Sequence, residues 1–116
     1  MDHETIAQYC EGRPACTTEA PFGPQTVVYK VGGKMFALLS LDTPRLNVKC
    51  DPERAEELRA AHSAVQPGYH MSKKHWNSVY WEEEILDPEL VNDWIDHSYE
   101  LVVGSLSKTQ RQALNL

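Results

Sequence analysis

Residues 26–41 read TVVYKVGGKMFALLSL, and this stretch decides the fold. Two runs rich in β-branched, aromatic and aliphatic residues, 26–31 and 34–41, are separated by only two glycines. Such a pattern predicts a β-hairpin, because Gly32 and Gly33 readily adopt the positive φ angles of a two-residue turn. The chain is therefore expected to contain at least one antiparallel pair of strands.

A third strand and a helix follow the hairpin. A turn at Pro44 precedes residues 46–50, in which apolar and polar residues alternate with the period of a strand. Asp51 and Pro52 then supply a helix cap and a first-turn proline, so we expect a helix over residues 53–62. Three consecutive antiparallel strands with a helix packed on them are predicted to form the centre of the domain.

The C-terminal half extends this pattern. Residues 76–82 alternate as a strand that completes the sheet, and residues 65–71 predict a short edge strand before it. Asp87 and Pro88 repeat the cap signature ahead of a long amphipathic helix that Gly104 ends. The sheet is therefore expected to gain one or two strands and a long covering helix.

The remaining segments lie near the two ends of the chain. Asp2 caps a first short helix that ends at Gly12, and Ser107 caps a final short helix. Residues 17–25 carry two prolines and predict an irregular loop that Phe22 anchors. The order α-βββ-α-(β)β-α-α predicts an α+β fold, a largely antiparallel sheet with helices packed on it.

The composition excludes several classes of protein. The 116 residues are 41% hydrophobic and 24% charged, which is typical of one globular domain over residues 1–116. No run approaches the ~18 apolar residues of a membrane span, and the N-terminal residues do not form a signal peptide. Cys10, Cys16 and Cys50 match no zinc spacing and predict reduced thiols. We expect a cytoplasmic monomer without a metal or other cofactor.

Charge is distributed unevenly along the chain. The net charge is −6, which argues against strong phosphate binding, because that binding comes mainly from Lys and Arg. Residues 23–75 nevertheless carry eight Lys and Arg against five Asp and Glu. Residues 76–104 carry eight acidic residues and no Lys or Arg. The sequence therefore predicts one basic surface and one acidic surface.

Five stretches, in a consistent order, resemble one known family. They are PFG at 21–23, KVGGKMFAL at 30–38, NVKCDP at 47–52, PGYHMSKKHW at 67–76 and DHSYELV at 96–102. These stretches are similar to the MmcQ/YjbR family, and the resemblance runs over about residues 6–106. It implies a compact α+β fold whose hairpins have been compared to a double-winged DNA-binding module. It implies DNA binding and supplies no catalytic residue.

Residues 68–76 are the most informative for function, because basic and aromatic residues interleave there on a predicted loop. Lysine side chains engage phosphate oxygens, and an exposed aromatic ring stacks on a base with about 1–3 kcal/mol. Basic residues of the hairpin and the third strand extend this surface. The predicted nucleic-acid-binding residues are Lys34, Arg45, Lys49, Tyr69, His70, Lys73, Lys74, His75 and Trp76.

Alternative interpretations are open for these residues. In the structural one, Tyr69 and Trp76 pack in the core, and the lysines only solvate turns and exposed strands. The acidic segment supports a second functional hypothesis, a protein-interaction module that docks a basic partner through Asp93, Asp96 and Glu100 of the C-terminal helix. The sequence does not decide between nucleic acid and a protein partner.

Catalytic and metal-binding motifs are absent from the sequence. It contains no nucleophile elbow and no phosphate-binding loop. His70 and His75 lie in a loop without an acidic partner, whereas Asp96 and His97 are adjacent on a helix and point in different directions. We predict a protein that is not an enzyme, and a small-molecule role in the cleft beside residues 70–76 is the alternative.

Overall fold

The computed structural model describes all residues from Met1 to Leu116. Six strands form one sheet in the order β1-β2-β3-β4-β6-β5, and all neighbouring pairs are antiparallel. The predicted α+β domain is confirmed. The elements are α1 (His3–Glu11), β1 (Thr17–Glu19), β2 (Thr26–Val31), β3 (Lys34–Ser40), β4 (Arg45–Lys49), α2 (Pro52–Ala61), β5 (Val65–Pro67), β6 (Trp76–Val79), α3 (Pro88–Ser105) and α4 (Lys108–Ala113).

All four helices begin at the caps that the sequence indicates. The side chains of Asp2, Asp51, Asp87 and Ser107 each accept a backbone N–H from the first turn of the following helix. In α2 and α3 a proline occupies the first turn as well. None of these helices combines the length and the apolar character needed to cross a membrane.

The two faces of the sheet differ in what covers them. In β4, Leu46 and Val48 belong to the main core, which includes side chains of α1 and α3. Since successive side chains of a strand alternate between faces, Arg45, Asn47 and Lys49 lie on the opposite face. We call the first side the helix face and the second the open face.

A bulge and a buried hydroxyl connect the long helix to the sheet. The register between β2 and β3 skips Phe36, so this residue has no partner in the ladder. Ser98 of α3 is fully buried; its hydroxyl donates to the Phe36 carbonyl (2.6 Å) and accepts the Lys49 N–H (2.8 Å). One side chain thereby satisfies two backbone groups on neighbouring strands.

The loop before the hairpin differs from its prediction in two ways. Thr17–Glu19 forms β1, an edge strand paired with β2, which was not predicted because all three of its residues are exposed and polar. Phe22 does not anchor this loop in the core, since 70% of its surface is exposed. Its ring lies at the rim of the open face.

Strands β5 and β6 are shorter than predicted. β5 ends at Pro67 rather than at residue 71, because Gly68 turns the chain and packs closely on Trp76. β6 ends at Val79 rather than at residue 82, where the chain enters a turn. The residues after β5 form a loop beside the open face, and the residues after β6 form a turn that leads into the acidic segment.

Candidate functional site

A pocket of about 310 Å³ lies on the open face, between the central strands and two loops. This volume is at the lower end of the ~300–1,000 Å³ typical of small-molecule sites. Its lining includes no acidic side chain. The strands contribute Thr26, Met35, Leu38, Ser40, Arg45 and Asn47, and the loops contribute Phe22, Tyr69, His70 and Met71.

A buried hydrogen-bond network holds the second loop over the pocket. The Asn47 side chain donates from Nδ2 to the Tyr69 carbonyl (3.2 Å) and accepts the Ser78 hydroxyl at Oδ1 (2.5 Å). The Ser78 hydroxyl oxygen also accepts the Tyr69 N–H (2.8 Å). Both backbone polar groups of Tyr69 are therefore bound to side chains of β4 and β6.

Arg45 supplies a positive charge that no acidic residue compensates. Its Nη2 donates to the Ser40 hydroxyl (2.9 Å), and its guanidinium carbon lies 4.1 Å from the centroid of the Tyr69 ring. Its Nε is buried without a hydrogen-bond partner. The three ion pairs of the structure involve other residues. The guanidinium is thus oriented by Ser40 and Tyr69 but lacks a counter-ion.

Tyr69 and His70 form the exposed rim of the pocket. Tyr69 is 46% exposed, and its ring centroid lies 4.0 Å from that of His70. His70 has a φ of 57°, in the left-handed region that costs a non-glycine residue roughly 1–2 kcal/mol. Backbone conformations of this kind cluster at functional sites, and here the Asn47 network keeps the loop in place.

Only part of the predicted nucleic-acid-binding set meets at this pocket. Arg45, Tyr69 and His70 line it. Lys49 lies on the same face but roughly 13 Å further along β4, at about 3.3 Å per residue. Lys34 lies elsewhere: its ammonium donates to the Ser105 hydroxyl (3.3 Å) at the end of α3, on the helix side of the sheet. The hairpin turn therefore does not extend the pocket surface.

The lysines and the last histidine of the loop lie outside the pocket. The Lys73 ammonium donates to the Gly68 carbonyl (3.2 Å), within its own loop. Lys74 is exposed and lines a different surface depression, together with Glu53, Glu56 and Arg59 of α2. His75 is exposed, and its carbonyl accepts the N–H of Cys50 (2.8 Å). These three residues surround the loop but do not converge with Arg45.

Trp76 and Tyr69 have different environments. Trp76 is only 8% exposed, since it opens β6 and lies beneath Gly68, where an added Cβ would approach the Trp76 Cβ to 2.7 Å. It is therefore removed from the nucleic-acid-binding set. Tyr69 remains accessible and is the only aromatic ring of the predicted set that is exposed on this face, where Phe22, which was not in that set, is exposed as well.

Sequence reasoning missed the residues that shape the pocket. Met35, Leu38 and Met71 form its apolar wall, and Asn47 holds its loop. One signal pointed to the last of these, because asparagine is disfavoured within strands and Asn47 interrupts the run from Leu46 to Val48. No group of three or more His, Cys, Asp or Glu side chains forms a cluster that could hold a metal ion.

His97 lies outside this pocket and gives a pH-dependent prediction. Its Nε2 accepts the N–H of Asp51 (3.2 Å), and burial, followed by the charge of Arg54, lowers its pKa below the usual value near 6.5. Between the lowered and the usual pKa, the unfolded chain binds more protons than the folded one. The stability contributed by neutral His97 is therefore fully present above the pKa of His97 in the unfolded chain. It is lost as the pH falls through the lower pKa of His97 in the folded protein.

We expect urea unfolding of the wild type to show falling stability from about pH 7.5 to about pH 5, the range in which histidine titrates. In the His97→Gln variant, which keeps a polar side chain but cannot titrate, this part of the pH dependence should flatten. Identical pH profiles for the two proteins would show that the titration of His97 does not contribute to the pH dependence of stability.

The sequence and the structure were compared with known proteins. The YjbR family model matches residues 12–101. YbdF of Escherichia coli O157:H7 is 40% identical over 112 residues, which cover 95% of this chain and 91% of YbdF. YjbR of Escherichia coli strain K12 is 31% identical over 116 residues, or 98% of each chain. Both relatives are named as uncharacterized proteins.

Solved structures show the same fold. The crystal structure of a Deinococcus radiodurans protein of the DUF419 domain family superposes with a TM-score of 0.90 at 36% identity, covering 97% of this chain and 87% of that one. A Pseudomonas syringae protein superposes with a TM-score of 0.77 at 24% identity, covering 88% of this chain and 99% of that one. The second likeness concerns the fold alone.

Proposed function

This chain belongs to the YjbR family, and we propose that it binds single-stranded nucleic acid weakly through the open face of its sheet, without catalysing a reaction. The observation that supports this proposal is the contact of Tyr69 with both Arg45 and His70 at the rim of the pocket. An accessible aromatic ring beside an uncompensated cation is the combination that single-strand-binding surfaces use for bases and phosphates.

The shape of the site favours an unpaired strand over a duplex. A base within a duplex is stacked on both sides and cannot reach a ring set into a sheet surface, whereas an unpaired base can be splayed onto it. The pocket is a recess between two loops, and no helix residue lines it. An unpaired strand is therefore the preferred ligand in this proposal.

The charges of the site limit its affinity. Arg45 and Lys49 are the two cations that β4 places on the open face, whereas Lys30 of β2 is paired with Glu19, and the chain as a whole carries −6. For two neutralised phosphates on a single strand, log K is expected to fall with log salt with a slope of about −1.4. Binding should therefore be weak and salt-dependent, with a shallow slope.

Fluorescence anisotropy of labelled single- and double-stranded DNA, across about 20 to 200 mM salt, tests the proposal. We expect binding of the single strand, and an affinity roughly tenfold lower for Tyr69→Ala, because stacking contributes about 1–3 kcal/mol per base. Arg45→Ala should weaken binding and flatten the salt slope. Lys108→Ala, an exposed lysine on α4, is the matched control.

Two results would overturn this assignment. No single-strand binding at low salt would remove nucleic acid as the ligand. Wild-type affinity in both Tyr69→Ala and Arg45→Ala, with a loss in Lys73→Ala plus Lys74→Ala, would move the interface from the pocket rim to the outer side of the loop.

A protein partner for the acidic surface is a second candidate. Ile85 is fully exposed next to the acidic run of residues 82–84, which suits a partner with basic and apolar groups. On α3, Asp96 is already engaged by Tyr9 (2.7 Å) and Arg13 (3.1 Å), so it offers little to a partner. A pull-down that loses its partners on charge reversal of Asp93 and Glu100 would support this candidate, and retention of the partners would exclude α3 as the docking surface.

A further inference from the structure

We infer that the pocket beside Arg45 is a binding site for a small organic carboxylate with an apolar body. The carboxylate would accept hydrogen bonds from the guanidinium, and the apolar body would lie against Met35, Leu38 and Met71. This inference goes beyond the proposed function, since a carboxylate needs no nucleic acid to occupy the pocket.

The environment of the Arg45 side chain favours a bound anion. A guanidinium that is partly removed from water without a counter-ion is unfavourable, and an anion that accepts hydrogen bonds from it and compensates its charge offsets the cost. Nη2 donates a hydrogen bond to the Ser40 hydroxyl, whereas Nη1 donates none. The Tyr69 ring covers one face of the guanidinium. An anion therefore approaches in the guanidinium plane, at the terminal edge, where a carboxylate can accept two parallel N–H groups.

The charge of the pocket favours a carboxylate over a phosphate monoester. Arg45 is the only Lys or Arg side chain that lines the pocket. A doubly charged phosphate group is usually held by several cations or by backbone N–H groups at a helix start, and no helix begins among the lining residues. One guanidinium matches a single negative charge, and the imidazole of His70 adds one polar group at the rim.

The other lining residues favour an apolar body for the rest of the ligand. Half of the ten lining residues are hydrophobic, and two of these are methionines whose flexible side chains adapt to an irregular partner. The Asn47 amide donates one N–H to the Tyr69 carbonyl and accepts the Ser78 hydroxyl at Oδ1, which leaves only one N–H of Nδ2 for a ligand. An aromatic or branched aliphatic body therefore fits better than a sugar or another polyol, which would need several hydrogen-bond partners.

The test uses phenylacetate as the carboxylate, phenylacetamide as its neutral analogue and phenyl phosphate as the dianion, each titrated into the full chain by calorimetry and by ¹H–¹⁵N NMR. We expect phenylacetate to bind at least tenfold more tightly than either analogue and to shift the amide signals of Tyr69, His70 and Met71. Arg45→Met should weaken phenylacetate at least tenfold, while Lys108→Met should not.

Equal binding of phenylacetate and phenylacetamide would show that charge does not select the ligand, and tighter binding of phenyl phosphate would overturn the carboxylate assignment. Absence of any binding, or signal shifts away from the pocket, would also overturn it. The NMR titrations of the wild type need no variant. They therefore test carboxylate binding at the pocket even if Arg45→Met fails to fold. Oligonucleotide titrations are run separately, so phenylacetate binding without DNA binding would reject only the proposed function.

Discussion

Replacing Trp76 with alanine is expected to lower the free energy of unfolding by about 3 kcal/mol or more, the usual loss when a buried aromatic side chain is truncated. Trp76 is 8% exposed, and Gly68 packs directly on it, so its removal leaves a cavity between β6 and the loop that follows β5. Urea denaturation followed by circular dichroism measures this loss.

Tyr69→Ala is the control for this prediction, because the two aromatic residues were indistinguishable by sequence. Tyr69 is 46% exposed and mainly contributes a cation–π contact with Arg45, so its truncation should cost only about 1 kcal/mol. A Trp76→Ala protein with wild-type stability and reduced DNA affinity would reverse the assignment and return Trp76 to the binding surface.

Replacing Asn47 with alanine is expected to lower the free energy of unfolding by about 2–3 kcal/mol and to release the loop over the pocket. The Tyr69 carbonyl loses its donor and the Ser78 hydroxyl loses its acceptor, and an unsatisfied buried polar group costs about 1–3 kcal/mol. Urea denaturation measures the stability, and hydrogen exchange at the Tyr69 and His70 amides measures the loop.

Asn92→Ala is a suitable control, because Asn92 is half-exposed on α3 and its replacement should change stability by no more than about 0.5 kcal/mol. Faster exchange confined to residues 69–71 in Asn47→Ala would establish the network as the support of the pocket. Unchanged exchange, with a stability loss below about 1 kcal/mol, would show that the loop is held by other contacts.

Local signals in the sequence predicted most of the fold. The two glycines of the hairpin, Asp51 and Asp87 act over a few residues, and the structure confirms the turn and both helix starts. β1 left no such signal, because its three residues are exposed and gain their strand conformation from pairing with β2. Elements that depend on a distant partner are therefore the ones that sequence patterns miss.

The candidate site was predicted only in part, for a related reason. Alternation along β4 places Arg45 and Lys49 on one face, but it does not show that the loop after β5 folds back over that face. It also does not place Lys34, which lies on the helix face beside α3. The loop residues meet Arg45 because Asn47 and Ser78 hold the loop, and these two uncharged residues belong to no recognisable motif.

The two outer strands of the sheet affect how the domain behaves at high concentration. β1 and β5 are the edges, and each is three residues long. β5 ends in Pro67, which has no N–H to offer, and Glu19 places a carboxylate on the other edge. Short, charged or proline-containing edges give another chain few backbone groups to pair with. The longer and more apolar strands, which would be prone to aggregation if exposed, are shielded in the middle of the sheet.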